Sequence, residues 1–364
     1  MKQLVIPFLL LVLLATSCKD DFDVAAPYKN ITLVYATLNR DDTAHYFRIE
    51  KAFLDQNKSA IDMAKVPDSS FYTNLTVVMK EYVNNAFTRS WTLNRVKMED
   101  EGYPKDAAGS QGFFTTPSWA YKLKITDPAN PSVKDSLDPY KQYRLVVTNQ
   151  ATGETDSSDI IYVVNSRREV NANNFYIPTF DNLNYQLDFS KTDLKTNFSL
   201  LVRTPKNARL MEGVMRFHFV EKNMATGASK RIVADYYYDQ QVKNASETFM
   251  LTTLNSSIYS FLRDALGTAD ANTFRFVDSC DLMVYAGSSE LYNYLQISAV
   301  QNSSLLGDQI KPFYTNIRGN NAYGLICSRA LRVRNNIAIT SVTIDSLKLN
   351  PITADLNIKG RTDD

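Results

Sequence analysis

The sequence predicts a mainly β protein: two antiparallel β-sandwich-like domains, the N-terminal one immunoglobulin-like and the C-terminal one carrying two short helices. Three observations point there. Tyrosine and phenylalanine are abundant, with 21 and 19 copies, and such rings suit the pleated, half-buried surface of a strand. Short alternating apolar and polar runs are broken throughout by Asn, Asp, Gly and Pro. In the first half no helix-length apolar pattern separates those runs, and strands at this spacing suit an antiparallel sandwich.

Residues 31–38 read as a first strand and 45–53 as a second. Phe47, Ile49 and Phe53 share one face, with Arg48 and Glu50 on the other. Arg40-Asp41-Asp42-Thr43 joins them, so the pair forms a hairpin whose register follows the apolar face. Residues 60–66 fit one helical turn before Pro67. Residues 75–82 and 90–98 are further strands, and 99–112, rich in charge, is a loop. Residues 119–126 alternate Tyr121, Leu123 and Ile125 against Lys122 and Lys124. Residues 143–149 and 159–165 are expected to pair across Gln150-Ala151-Thr152-Gly153.

The polar stretch 166–174 predicts a domain boundary, leaving 31–165 as one sandwich and 175–360 as a second β-rich unit. Strands resume at 197–204 and 214–221, and 231–238 pairs back across Met224-Ala225-Thr226-Gly227. Both tips read Asn-x-Ala-Thr-Gly, at Asn149 to Gly153 and Asn223 to Gly227. Either the motif is a trace of duplication, or each tip needs a positive φ that Gly supplies without steric cost. Residues 256–266 place Ile258, Phe261, Leu262, Ala265 and Leu266 on one helical stripe, with Asn255 or Ser256 as cap and Gly267 as stop. Residues 274–285 form a strand. Ser288-Ser289-Glu290 opens a second helix with Leu291, Tyr294 and Leu295 on its apolar side. Runs at 313–318, 323–333 and 339–347 complete the strands, and 360–364 reads as frayed.

Ahead of all this stand a positive Lys2, an apolar run at 4–14, and small Ala15, Thr16 and Ser17. That order is a secretory signal, too short to cross a bilayer, which takes roughly 20 residues. Cys18 follows at once. Leu14-Ala15-Thr16-Ser17-Cys18 resembles the bacterial lipobox, although Ala15 stands where Leu is more usual. The resemblance implies that 1–17 is a signal peptide, that Cys18 is acylated with diacylglycerol and palmitate-type chains, and that 18–30 is a tether. Each buried CH₂ contributes about 0.8 kcal/mol, so two or three chains anchor stably. Lys19, Asp20, Asp21 and Asp23 adjoin the cysteine and resemble the export signal of Bacteroidota surface lipoproteins. A solvated acidic tether or a retention signal is the plainer alternative.

Removing 17 of the 364 residues leaves 347, room for two cores. The formal charge is +1, and it falls to zero once Lys2 leaves. With no basic clusters interleaved with aromatics, a nucleic-acid partner is not expected. Cys280 and Cys327 sit in apolar strand contexts. An envelope location permits a disulfide between them, and buried free thiols suit the same contexts. Neither has a neighbouring His or helix start to activate it.

His45 and His218, the two histidines, lie in strands without a second His or Cys at ligand spacing, so no metal is expected. No nucleophile elbow, zinc-protease motif, phosphate loop or EF-hand occurs, and no cofactor is expected. Within Tyr236-Tyr237-Tyr238, Tyr236 and Tyr238 share a strand face. They are candidates for a stacking platform or for ordinary half-buried strand aromatics. Thr43, Ser136 and Ser346 sit in Asp-Ser/Thr-apolar triplets that resemble Bacteroidota O-glycosylation acceptors.

The run from Ile31-Thr32-Leu33-Val34-Tyr35 to His45-Tyr46-Phe47-Arg48-Ile49-Glu50, with Pro312-Phe313-Tyr314-Thr315-Asn316-Ile317-Arg318-Gly319 and Gly324-Leu325-Ile326, resembles a family of Bacteroidota outer-membrane lipoproteins classed as a domain of unknown function. The resemblance implies a β-rich lipoprotein often associated with TonB-dependent transporters, and it brings no catalytic residues. The expectation is therefore a non-enzymatic, surface-exposed outer-membrane lipoprotein that binds a ligand or docks on such a transporter in nutrient uptake. The alternatives are a structural or adhesive surface module, and a carbohydrate-active hydrolase marked by two carboxylates at catalytic spacing.

Overall fold

The computed structural model describes residues 31–52, 59–106, 114–125, 135–167, 175–193, 196–242, 248–301 and 314–360. The leader, Cys18, Lys19, Asp20, Asp21 and Asp23 lie outside the described residues, as do Phe53, 168–174 of the expected linker and 361–364.

The first half is built from β1 (Ile31–Leu38), β2 (Ala44–Ala52), short helices α1 (Ala60–Ala64) and α2 (Pro67–Ser70), β3 (Leu75–Val83), β4 (Ala86–Thr92), β5 (Asn94–Lys97), β6 (Trp119–Lys124), β7 (Gln142–Asn149) and β8 (Thr155–Ser158). The strands divide into one layer ordered β1-β2-β6-β5 and another ordered β8-β7-β3-β4. Taken in chain order, these are the two sheets of an immunoglobulin-like sandwich. Phe47, Ile49, Tyr121, Leu123 and Met79 meet between them. A tyrosine corner completes the pattern: at the start of β7 the Asp138 N–H donates to the Tyr143 hydroxyl at 2.7 Å, and Leu137 and Tyr143 are fully buried.

Two strand expectations shift here. The single strand expected at 90–98 is cut at buried Leu93, whose N–H donates to the Val77 carbonyl. There the chain leaves β4, paired with β3, for β5, paired with β6 in the opposite sheet. The partner of β7 begins earlier than 159–165: the tip closes at Asn149 to Glu154, 155–158 pairs directly beyond it, and of the expected run Ile161 bridges Tyr143 through two backbone hydrogen bonds.

The second half contains α3 (Pro178–Asp181), β9 (Asn197–Arg203), β10 (Leu210–Asn223), β11 (Ser229–Tyr237), β12 (Gln241–Val242), β13 (Thr248–Leu254), α4 (Asn255–Leu266), β14 (Thr273–Gly287), α5 (Ser289–Gln301), β15 (Ile317–Arg318), β16 (Ala322–Ile337), α6 (Ser341–Leu349) and β17 (Ile358–Lys359). Its main sheet runs β11-β10-β14-β16, and the β9–β13 pair forms a separate two-stranded sheet. Phe217 and Phe219 of β10, Leu200 of β9, Leu251 of β13, Tyr259 of α4 and Leu347 of α6 share one core.

The run at 339–347, expected to be a strand, is instead helix α6. Thr340 caps it by accepting the Thr343 N–H at 3.2 Å, and Thr343 and Leu347, four apart, turn inward. Short apolar runs do not by themselves separate strand from helix. Helix α4 stops at Gly267 as expected. Its cap is Leu254, however, and Asn255 lies inside the helix with its amide donating to the Lys191 carbonyl.

The two cores do not follow the boundary read from the sequence. Ile317, Ala322 and Ile326 belong to the first core, and Val164 belongs to the second. The cause is β16. Its Ala322 to Ser328 part pairs in parallel with β1, while Arg329 to Ile337 pairs antiparallel with β14. One sheet thus runs from β11 through β16 to β5.

Candidate functional site

Strand β10 positions the site. Met211, Met215, Phe217 and Phe219 point into the core, so Glu212, Val214, Arg216 and His218 face outward. The β10–β11 hairpin closes at Asn223 to Gly227 with Gly227 at φ +72. That register sets Val214 beside Tyr237 and Arg216 beside Asp235. On the other side, β14 brings Met283 next to Val214 and Tyr285 next to Glu212.

These residues line a groove of about 290 Å³ on the outward face of the sheet. Leu210, Val214 and Met283 make its apolar floor, and Leu291 and Leu295 of α5 form a wall. Arg216 grips Asp235 through two bonds, Nε to Oδ1 and Nη2 to Oδ2, each 2.7 Å. The pairing holds the Asp235 carboxyl below the usual range and raises the Arg216 guanidinium. His218 Nε2 lies 2.9 Å from Asp281 Oδ2, and Asp281 also accepts the Asn336 N–H. Tyr237, 62% exposed, stands at the edge of the groove.

The predicted platform is therefore corrected. Tyr236 and Tyr238 do share a face, but it is the inner one. Tyr238 is buried, its ring meets Tyr236 edge-on at 5.9 Å, and Tyr236 packs on Phe261 of α4 and bonds Thr253. The middle tyrosine of the triplet is the one on the open side. The remaining sequence signal is Val214, an apolar residue in the outward series between Glu212 and Arg216.

A Cys280–Cys327 disulfide is excluded, since both cysteines are buried and free. Cys280 pairs with Ile337, whereas Cys327 lies ten residues back along β16 beside Thr37. At a strand rise of about 3.3 Å the separation is roughly 30 Å, far beyond a disulfide's reach. Burial pushes both thiols up. His45 is buried with neither ring nitrogen hydrogen-bonded, and desolvation lowers it to about 4. Of the expected O-glycosylation positions, Thr43 is exposed in the β1–β2 connection and Ser136 is half-buried. Ser346 lies in α6, with its hydroxyl donating to the Ser190 carbonyl at 2.7 Å. Among the described residues no cluster of three His, Cys, Asp or Glu is placed to hold a metal, and no helix is long and apolar enough to cross a membrane.

No protein family model matches the chain, and no curated protein matches it significantly. Among solved structures, the chain is similar to the calcium binding domain CBD12 of CALX1.1. The identity is 8%, over 82% of this chain and 98% of that one, with a TM-score of 0.18. A likeness that distant carries no argument about function. The class rests on the strand order and the tyrosine corner: a mainly β, immunoglobulin-like sandwich joined to a second β-rich unit.

Proposed function

We propose that this protein is a non-enzymatic surface lipoprotein, anchored in the outer membrane through Cys18, that binds a ligand in the groove beside α5 and works with a TonB-dependent transporter. The observation that carries the binding role is the groove, in which an apolar floor, an exposed tyrosine and a locked ion pair converge on one open sheet face. Arg216 keeps the Asp235 carboxyl ionised, which makes it a hydrogen-bond acceptor and a poor general acid. The anchor is supported by Leu14 to Cys18, and the address by the acidic run after it.

The test uses the full chain in its own membranes. Radiolabelled palmitate should enter the protein and be lost in Cys18→Ala, and gentle solubilisation should recover a TonB-dependent transporter with the tagged chain. An unlabelled wild-type chain would remove the anchor. Repeated captures without a transporter would replace the uptake role with that of an adhesive module.

A further inference from the structure

The groove's chemistry narrows what it accepts. Four formally charged side chains line it, Glu212, Arg216, Asp235 and Arg329, and their charges cancel. Arg216 and Asp235 already neutralise each other in a two-bond clasp. A ligand with net charge would therefore meet no surplus countercharge to offset its lost hydration. A wholly apolar ligand fares no better. It would strip water from these groups without returning a hydrogen bond, and each such loss costs about 1–3 kcal/mol.

What remains is a neutral molecule with hydroxyls around its edge and an apolar face. Tyr237 offers a ring 62% exposed at one side of the groove. Tyr285 lies on the same face, two strands away, with Val214 and Met283 between them. Two strand spacings are about 10 Å, so one small ring reaches only one of the tyrosines. The ion pair supplies what hydroxyls need. Asp235 has further acceptor capacity beyond its bonds to Arg216, and Glu212, 3.5 Å from the Gln240 amide, is a second acceptor. A volume of about 290 Å³ sits at the small end of ligand pockets, which suits one or two rings and not a long segment.

We propose that the groove binds a neutral saccharide, with Tyr237 stacked on the apolar face of one sugar ring and the Arg216–Asp235 pair and Glu212 holding its hydroxyls. This assignment rests on the reading of the groove as a binding site. Tyr237 supplies stacking area and the charged groups supply orientation, so affinity is insensitive to salt, unlike that of a charged ligand.

The test titrates the full chain in detergent, by calorimetry, with three probe sets: neutral oligosaccharides of glucose, mannose, galactose and xylose; oligosaccharides bearing uronic acid or sulfate; and short peptides. At least one neutral oligosaccharide should bind saturably and independently of salt. Tyr237→Ala should weaken it about tenfold or more, and Tyr237→Phe much less. Tyr103→Ala, at an exposed tyrosine outside the groove, should change nothing. Glu212→Gln is a second groove variant, expected to weaken binding if Tyr237→Ala proves misfolded by its melting curve. Tyr237-dependent binding of a charged sugar or a peptide alone would overturn the saccharide and leave the groove a binding site. Binding by none of the three sets, or binding indifferent to both groove variants, would overturn both.

Discussion

At the scale of single residues, His45 carries a measurable consequence. It lies on the inward face of β2 with Phe47 and Ile49, and its ring has no partner. Burial lowers it from 6.5 to about 4, so the folded chain holds it neutral at pH values where the unfolded chain protonates it. The sign follows: stability is full above about pH 6.5 and falls as pH drops toward 4, by about 3 kcal/mol in all. In urea titrations at pH 7 and pH 5, wild type should lose more stability than His45→Phe. Equal losses would mean that the ring is hydrated or paired. The thiols give a second prediction. Cys280 and Cys327 are buried, free and far apart. A thiol reagent under non-reducing conditions should leave both unlabelled in the folded protein and label both in denaturant. Absence of labelling in denaturant would indicate a disulfide. From sequence, the apolar surroundings of both cysteines were legible, but their separation was not, since it depends on which strands β16 pairs with.

At the scale of elements, the two Asn-x-Ala-Thr-Gly tips adopt one geometry. In each, the Gly N–H donates to the Asn carbonyl at 2.8 Å, for Gly153 to Asn149 and for Gly227 to Asn223. In each, the Asn side chain accepts the N–H two residues on, and the Gly has positive φ. The flanking strand precedes the hairpin in one case (β3 before β7 and β8) and follows it in the other (β14 after β10 and β11). That order favours a shared local requirement over tandem duplication. Local chemistry of this kind is legible because every interacting group lies within five residues. The tyrosine corner is almost as local, since Leu137, Asp138 and Tyr143 fall within seven residues. Tyr143→Phe leaves the Asp138 N–H without its acceptor and should cost about 1–3 kcal/mol, read as a lower urea midpoint with an unchanged slope. A loss well below that range would mean that water takes the hydroxyl's place. The run that forms helix α6 does not declare its type locally, because Thr343 and Leu347 satisfy a helical repeat and the surrounding run also tolerates alternation.

At the scale of the whole molecule, β16 joins the halves, and Gly324 is where it approaches β1 most closely. The residue has φ +138, and an added Cβ would stand 1.9 Å from the Val34 carbonyl oxygen. Gly324→Ala should therefore part β1 from β16 and cost about 2 kcal/mol or more. The two tryptophans, Trp91 and Trp119, both lie in the first half, so their emission reports that half alone. In wild type, Trp emission and far-ultraviolet circular dichroism should lose signal at the same urea concentration. In Gly324→Ala, Trp emission should shift first. Coincident transitions in the variant would show that the halves are coupled by something other than this pairing.

What the sequence determined by itself is what short-range chemistry controls. The β class, the β1–β2 hairpin, the alternation of β6, the glycine-closed tips, the Ile258, Phe261, Leu262 and Leu266 part of the α4 stripe and its Gly267 stop all follow from residues a few positions apart, whereas Ala265 of that stripe is exposed and Tyr259 is buried in its place. What only the tertiary structure decided is whatever depends on distant strands meeting. The partition of 90–98 between two sheets, the assignment of Ile317, Ala322 and Ile326 to the first core and the free state of Cys280 and Cys327 are of that kind, and so is the groove. Alternation shows that Tyr236 and Tyr238 share a face and Tyr237 takes the other, since side chains alternate along a strand. It does not show which face is covered. That was decided by α4 packing on one side of the sheet and leaving Tyr237, Val214 and the Arg216–Asp235 pair on the other.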